Sequence, residues 1–217
     1  YQLDTVEKSV IAQRGIVWSG TGTGKTVMGM RIAYESGVNT VVMVNTKEAL
    51  FDTLECAKKC FGEDVVGQYG DKRKDLGEFI TVATIGSVVS SFSRGTNIFS
   101  DYNPHLILID EVHHAGADTW FKSIMAMNAY YRIGLTGTAF RTDGGGLLLQ
   151  AVTGKVIVRI TTKEMQDAGF LSDSDIKFVT CRYPTYLDQP LSYHEAYQEG
   201  IVKNEFRNEL VAKIVLK

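Results

Sequence analysis

Short apolar runs alternate with stretches of helical periodicity along most of the chain. The runs are continuously apolar and rich in β-branched residues, which is typical of strands buried on both faces. They predict strands at Gly15–Ser19, Thr40–Val44, Ile80–Thr84, Leu106–Ile109, Tyr131–Leu135, Lys155–Ile160 and Ile176–Thr180. The segments between them predict helices at Lys25–Ser36, Lys47–Cys60, Ile85–Ser93, Asp118–Met127 and Thr162–Ala168.

This alternation predicts an α/β fold that has a mostly parallel sheet, right-handed crossovers and helices on both faces. Ligands of such folds bind at the carboxyl ends of the strands. We expect a loop at Thr142–Gly146 and an irregular connector at Tyr183–Pro190. The last residues have a polar, helical pattern. We therefore expect residues 1–190 to form one domain and residues 191–217 to form a linker helix that leaves it.

The composition is that of a globular protein. The 217 residues are 44% hydrophobic and 22% charged, and no apolar run approaches the roughly 20 residues that span a bilayer. We therefore expect no membrane segment. Three cysteines are too few for a disulfide framework, and this favours an intracellular protein. Cys56 and Cys60 have no His or Cys pair near them, so we expect core packing and not a zinc site. The net charge of −2, taken alone, argues mildly against nucleic-acid binding.

A glycine-rich segment follows the first predicted strand and precedes the first predicted helix. It matches the phosphate-loop pattern G-x-x-x-x-G-K-[ST], except that Ser19 stands at the first glycine position. Its glycines allow successive backbone N–H groups to face an anion, and the helix dipole favours the same anion. We expect Lys25 to reach the β and γ phosphates and Thr26 to bind Mg²⁺. The predicted nucleotide-binding residues here are Gly20, Thr21, Gly22, Thr23, Gly24, Lys25 and Thr26.

Two carboxylates follow another predicted strand, because Leu106–Ile109 continues directly into Asp110 and Glu111. Asp110 is a candidate ligand for Mg²⁺, and Glu111 is a candidate general base for an attacking water. His113 and His114 are adjacent in sequence, and no third ligand lies at a suitable spacing for zinc. We therefore expect His113 to act within the nucleotide site. The residues assigned to catalysis are Lys25, Asp110, Glu111 and His113.

These segments occur in the order of the motifs of superfamily 2 helicases. The Asp-Glu-Val-His sequence at 110–113 resembles motif II in its DExH form. Residues 44–50 and 81–87 are similar to motifs Ia and Ib, and residues 135–139 are similar to motif III, with Gly and Ala in place of the usual Ala and Pro. The sequence around motifs II and III resembles the branch that contains UvsW-like helicases, XPB-like proteins and restriction-enzyme translocase subunits.

The resemblance implies a RecA-like P-loop NTPase domain that uses ATP and Mg²⁺ and contacts nucleic acid. It further implies that Gln2 recognises adenine and that Thr136 and Thr138 couple the ATP site to nucleic acid. Contacts to the nucleic-acid backbone, without sequence specificity, are implied for Thr46, Lys47, Thr84, Ser87 and Arg94. Helix capping and ordinary surface exposure account for these five residues about equally well. The choice of DNA over RNA rests only on the family branch, because no feature that recognises a 2′-hydroxyl is visible.

Superfamily 2 motors close ATP between two such domains, and the second domain supplies arginines to the γ-phosphate. The chain contains no Gln-x-x-Gly-Arg-x-x-Arg sequence, and too few residues follow Thr138 to complete one domain and hold another. We therefore expect the first motor domain of a larger DNA helicase or translocase, which on its own binds ATP but hydrolyses it poorly.

Other function classes are weaker or stay open. A GTPase would carry Asn-Lys-x-Asp, which is absent, and a small-molecule kinase rarely combines DExH with a strand that ends in Leu-Thr-x-Thr. A non-catalytic nucleic-acid-binding scaffold of the same fold remains an alternative, as does an RNA-directed DExH helicase.

Overall fold

The computed structural model describes residues 1–96, 99–116, 118–138, 146–173, 178–180 and 192–216. The chain divides into a larger unit, Tyr1–Asp173, and a smaller unit, Ser174–Lys217. The helices of the larger unit are α1 (Gln2–Ala12), α2 (Lys25–Ser36), α3 (Lys47–Phe61), α4 (Ile85–Ser93), α5 (Phe99–Tyr102), α6 (Asp118–Met125), α7 (Gly146–Thr153) and α8 (Thr162–Asp167). Its strands are β1 (Arg14–Ser19), β2 (Thr40–Val44), β3 (Val66–Gly70), β4 (Arg73–Lys74), β5 (Ile80–Thr84), β6 (Leu106–Asp110), β7 (Tyr131–Thr136) and β8 (Val156–Ile160).

The strands form one sheet of order β4-β3-β5-β2-β6-β7-β1-β8. Within the described residues every pairing is parallel except that of β4 with β3. The predicted α/β fold is therefore confirmed. Because the paired strands run in one direction, the segments that follow β1, β2, β5, β6 and β7 all leave the sheet on the same side, at the carboxyl ends of the strands. We call this side the carboxyl edge.

The core lies on both faces of the sheet. Strand residues alternate between two apolar clusters, so that Val17 and Val42 belong to one and Ile16 and Val41 to the other. Helices α1, α2 and α3 cover the first face, and α4, α6 and α7 contribute to the second. Burial on both faces explains why the strand sequences are continuously apolar and do not alternate with polar residues.

Several predicted elements have the expected bounds. The strands Thr40–Val44 and Ile80–Thr84 and the helices Lys25–Ser36 and Ile85–Ser93 agree residue for residue with the structure. The helix bounds follow from local chemistry. The hydroxyl of Thr46, for example, accepts a hydrogen bond from the Ala49 N–H (3.2 Å) and caps α3.

Other expectations need correction or lie outside the described residues. The strand predicted at Ile176–Thr180 is not observed in its described part, because residues 178–180 have no regular secondary structure and Phe178 is 95% exposed. Residues 176–177, most of the loop predicted at Thr142–Gly146 and all of the connector Tyr183–Pro190 lie outside the described residues. Gly146 itself begins α7. The sequence did not predict α1, α7 or the hairpin of β3 and β4.

The smaller unit contains α9 (Tyr193–Tyr197), a π-helical turn (Gln198–Val202) and α10 (Glu205–Val215). Ser192 and Glu195 form a capping box at the start of α9, and the Asn204 side chain accepts the Arg207 N–H at the start of α10 (2.9 Å). The division into two units places the boundary before residue 174. Among the described residues of both units, no helix is long and apolar enough to cross a membrane.

Gly134 lies at a tightly packed position in the centre of the sheet, and a substitution there probes this packing. It lies in β7 between Ile16 of β1 and Ile109 of β6, and a Cβ atom there would lie 2.6 Å from Cγ1 of the buried Val112. We expect Gly134→Ala to lower the free energy of unfolding by about 1–3 kcal/mol, because Val112 must move. Denaturant unfolding measures the effect.

Gly86→Ala is the matched control for this substitution. A Cβ at Gly86 meets nothing within 4 Å, and the residue lies in the first turn of α4. We expect unchanged or slightly higher stability, by at most about 1 kcal/mol. Equal stability of the two variants would contradict close packing at Gly134.

Candidate functional site

The glycine-rich loop joins the end of β1 to the start of α2. Gly22 and Gly24 have φ of 78° and 81°, in the left-handed region that favours glycine. Space is limited as well, because a Cβ at Gly22 would lie 2.9 Å from Leu171 Cδ2 and one at Gly24 would lie 2.6 Å from Gln2 Nε2. The loop conformation therefore depends on these glycines for both its backbone angles and its close contacts.

The start of α2 provides unpaired donors beside this loop. The helix begins at Lys25, and no side chain caps it at Gly24, so its first backbone N–H groups are available to an anion. Lys25 Nζ lies over the loop and donates to the carbonyls of Ser19 (3.3 Å) and Gly20 (3.2 Å). Ser19 is fully buried, and its Oγ has no hydrogen-bond partner among the described residues. A buried hydroxyl without a partner is typical of a site that a ligand or water completes.

Gln2 and Tyr1 lie against the outer side of the loop. Gln2 Nε2 donates to the Thr23 carbonyl (3.1 Å), and so does the Tyr1 hydroxyl (3.0 Å). The Thr23 hydroxyl in turn donates to the Gly20 carbonyl (2.8 Å). The structure thus places Gln2 beside the phosphate loop, and its role in adenine recognition stays a prediction.

Asp110 is the last residue of β6 and lies close to the start of α2. Burial raises the pKa of its carboxyl, and the neighbouring charge of Glu111 raises that pKa further. The Glu111 N–H, which donates to Asp110 Oδ1 (3.0 Å), and the charge of Lys25 act in the opposite direction. Asp110 and Thr26 line the same small cavity. A hydroxyl and a partly desolvated carboxylate are oxygen ligands of the kind that Mg²⁺ prefers, so the residues fit this ion.

Glu111 has a left-handed backbone, with φ of 49°. Such a conformation is uncommon in non-glycine residues, costs on the order of 1–3 kcal/mol and concentrates at functional sites. Its carboxylate is 36% exposed, and Oε2 lies 3.1 Å from His113 Nδ1. The turn after β6 therefore leaves the Glu111 carboxylate accessible while Asp110 stays largely buried.

His113 connects the acidic strand end to the next strand. Its Nδ1 lies 2.9 Å from Thr136 Oγ1, and Thr136 is the last residue of β7. The Thr136 hydroxyl donates to the Thr138 carbonyl (3.1 Å) and accepts the Thr138 N–H (3.0 Å). Glu111, His113, Thr136 and Thr138 thus form a continuous polar chain along the carboxyl edge.

Trp18 is a site residue that the sequence did not indicate. Its indole N–H donates to the Gly137 carbonyl (2.9 Å), and the Arg159 guanidinium lies 4.3 Å from the centroid of its ring. The contact joins the strand before the phosphate loop to the segment between Thr136 and Thr138. Nothing in the local sequence marks it, because it follows from the pairing of Trp18 with Thr136 in adjacent parallel strands.

The predicted nucleic-acid contacts lie elsewhere on the carboxyl edge, and most have partners within the chain. Thr46 caps α3, and Lys47 Nζ pairs with Asp71 Oδ1 (2.5 Å). The Thr84 hydroxyl donates to Ser87 Oγ (2.8 Å), which leaves the Ser87 proton available to another acceptor. The Arg94 guanidinium donates to the backbone carbonyl and the hydroxyl of the residue one turn before it (3.1 and 2.6 Å). Their contacts to nucleic acid stay predictions.

Comparison with known proteins identifies the family. The model of the family described as "Type III restriction enzyme, res subunit" matches residues 2–141, from Gln2 through the segment that follows Thr138. The chain belongs to this family. The resemblance to restriction-enzyme translocase subunits is therefore confirmed.

Two relatives and one solved structure are among the proteins to which this chain is similar. A Rad25 protein of Halobacterium salinarum is 29% identical over 98% of this chain and 34% of its own length. The "DNA 3'-5' translocase XPB2" of Sulfurisphaera tokodaii is 29% identical over 76% of this chain and 36% of its own length. The Pyrococcus furiosus Hef helicase domain has a TM-score of 0.61 at 21% identity, over 77% of this chain and 39% of that one, and so shares the fold. The chain thus spans about a third of the length of these curated relatives.

Proposed function

We propose that the chain is the ATP-binding motor domain of an ATP-dependent DNA helicase or translocase. The observation that carries this proposal is that three neighbouring strand ends bring together a phosphate loop, an acidic pair and a polar chain. Strands β1, β7 and β6 are adjacent in the sheet, and they end at Ser19, Thr136 and Asp110 respectively. A scaffold without catalysis has no physical need for all of these groups at one edge.

Nucleotide binding would rest on the loop and the start of α2. The unpaired N–H groups after Gly24 and the ammonium of Lys25 would hold the β and γ phosphates. Thr26 and Asp110 would hold Mg²⁺, which supplies positive charge to the phosphate oxygens during transfer. Because Asp110 is partly buried, a cation beside it would favour its ionised form.

Glu111 is the proposed general base. Its exposed carboxylate would accept a proton from the water that attacks the γ-phosphate. His113 Nδ1 lies within hydrogen-bonding distance of both Glu111 Oε2 and Thr136 Oγ1. A change in the position of Glu111 during hydrolysis would therefore be transmitted to Thr136 and Thr138, whose hydrogen bonds fix the segment after β7.

Nucleic acid and a second RecA-like domain complete the proposal. The relatives that this chain resembles carry names such as DNA 3'-5' translocase, and the chain matches about a third of their length. We infer that the motor acts on DNA, through backbone contacts at Thr46, Lys47, Thr84, Ser87 and Arg94. The second domain would supply an arginine to the γ-phosphate, a contribution worth about 10³–10⁵ in rate.

The experiment that tests this proposal measures ATP binding and ATP turnover by the 217-residue chain, with and without DNA. We expect Mg²⁺-dependent binding of ATP, and turnover far below several per second even when DNA is present, because no second domain contributes an arginine. Absence of ATP binding would contradict the whole proposal. DNA-stimulated turnover of several per second would contradict the requirement for a second domain, but it would not contradict the proposed nucleotide site.

A further inference from the structure

A cavity lined by basic side chains lies at the outer end of the carboxyl edge. Its volume is about 350 Å³, and it opens between the β3–β4 hairpin and α4. Lys72, Arg73, Lys74 and Arg94 line it, together with the hydroxyls of Ser87 and Ser90. Among the residues that the structure describes, no acidic side chain lines this cavity, although the chain as a whole has a net charge of −2. The local charge is therefore opposite to that of the whole molecule.

The cations of this cavity are only partly compensated by neighbouring carboxylates, since the charge of Lys72 acts on Asp71. None of the four forms an ion pair with a residue that the structure describes, whereas the nearby Asp71 is already paired with Lys47. Asp75 follows the hairpin and lies outside the lining of the cavity. The two hydrogen bonds that Arg94 donates to Ser90 fix its guanidinium in place. Several unpaired cations around one concave surface favour a polyanion such as a phosphate backbone.

The cavity continues the line of predicted nucleic-acid contacts. In the sheet order, β2 is followed by β5, β3 and β4. Thr46 follows β2, Thr84 ends β5, and Lys72 lies in the turn that joins β3 to β4. Thr46, Thr84 and Lys72 therefore follow one another in space along the carboxyl edge. Ser87 belongs both to the predicted contacts and to the lining of the cavity.

We propose that the β3–β4 hairpin, through Lys72, Arg73 and Lys74, binds nucleic-acid phosphates beyond those held by the predicted motif Ia and Ib residues. This inference rests on the proposed function and extends its contact surface outward by two strands. The ligand is the nucleic-acid backbone, because point charges and hydroxyls recognise phosphate and not base identity. Sequence-independent affinity with strong salt dependence follows from it.

A competing explanation is protection of the sheet edge. Strand β4 is an edge strand of two residues, and charged residues on short edge strands prevent pairing with another chain. That explanation accounts for Arg73 and Lys74, which lie in β4. It does not account for Lys72, which lies in the turn, or for Arg94, which lies at the end of α4 across the cavity.

The test removes two charges while it keeps the hairpin conformation. Lys72 has φ of 69°, which asparagine tolerates better than most residues, and Lys74 lies in a strand, which suits threonine. The variant is therefore Lys72→Asn with Lys74→Thr. The control is Lys58→Gln with Lys155→Gln, which removes the same charge. Lys155 directly precedes β8 and Lys58 lies in the last turn of α3, so both lie away from the carboxyl edge.

The readout is the salt dependence of binding to a fluorescein-labelled DNA duplex of random sequence, between about 50 and 200 mM salt. We expect the slope of log K against log salt to become shallower by about 1.8 in the hairpin variant, since each lost phosphate contributes about 0.9. The control variant should retain the wild-type slope.

Each other outcome overturns the inference. An unchanged slope in the hairpin variant means that the hairpin does not touch the DNA, and the proposed function then stands without it. Association of the hairpin variant into dimers, with an unchanged slope, assigns these lysines to edge protection. Wild-type chain that binds no DNA, while it binds ATP, contradicts the inference and the DNA part of the proposed function together.

Discussion

Replacement of Lys25 by alanine is expected to weaken ATP binding by about 10- to 100-fold. A hydrogen bond to a charged group contributes about 1.5–3 kcal/mol, and each 1.4 kcal/mol is a factor of about ten in affinity. Among the described residues Lys25 Nζ donates hydrogen bonds to two loop carbonyls and acts on Asp110 through its charge, so its loss removes little from the folded structure. Isothermal titration with ATP in the presence of Mg²⁺ measures the change.

Two comparisons separate this effect from a general loss of structure. Lys155→Ala removes an exposed lysine from the opposite edge of the sheet and should leave ATP affinity unchanged. The thermal midpoint of Lys25→Ala should stay close to that of the wild type. If Lys25→Ala bound ATP as tightly as the wild type does, the result would favour the hypothesis of a non-catalytic nucleic-acid-binding scaffold.

Glu111→Gln has a different expected signature, because binding persists while hydrolysis is lost. The amide has the shape of the carboxylate but cannot accept a proton at neutral pH, and general-base catalysis contributes about 10²–10⁴ in rate. We expect the ATP affinity to stay within a few-fold of wild type and the turnover to fall by that factor. Single-turnover hydrolysis, with the chain in excess over ATP, detects slow rates and so suits an isolated motor domain.

The control for this variant is Glu63→Gln, which changes an exposed carboxylate in the segment between α3 and β3. It should alter neither affinity nor rate. Equal turnover by Glu111→Gln and wild type would exclude Glu111 as the base and direct attention to other groups near the γ-phosphate.

Much of the candidate site could be predicted because its chemistry is encoded in short segments. The phosphate loop needs Gly22 and Gly24 for their left-handed backbone, and the acidic pair directly follows a strongly apolar strand. Such signals depend on neighbours in sequence. The contact of Trp18 with Gly137 depends instead on which strands are adjacent in the sheet, and no local pattern carries that information.

The missed elements of the fold have similar causes. The sequence of β3 contains Gly67 and Gly70, which weaken a strand signal. Gly67 is needed because the chain folds back over it, so that a Cβ there would lie 2.0 Å from the Gly77 backbone nitrogen. Helix α7 has too few polar positions to show an amphipathic pattern, although Leu149 packs in the core on one face of the sheet. The formation of these elements therefore depends on tertiary contacts, which local sequence patterns do not reveal.

The strand order has a consequence for how the candidate nucleotide site forms during folding. Trp18 of β1 and Gly137, which directly follows the adjacent strand β7, are 119 positions apart in the chain. Pairing of such distant segments requires a large loop to close first, which slows folding. The loop, the acidic pair and the polar chain can therefore come together only after β1 has inserted beside β7. ATP, as the proposed ligand of the assembled site, should therefore stabilise the completed sheet.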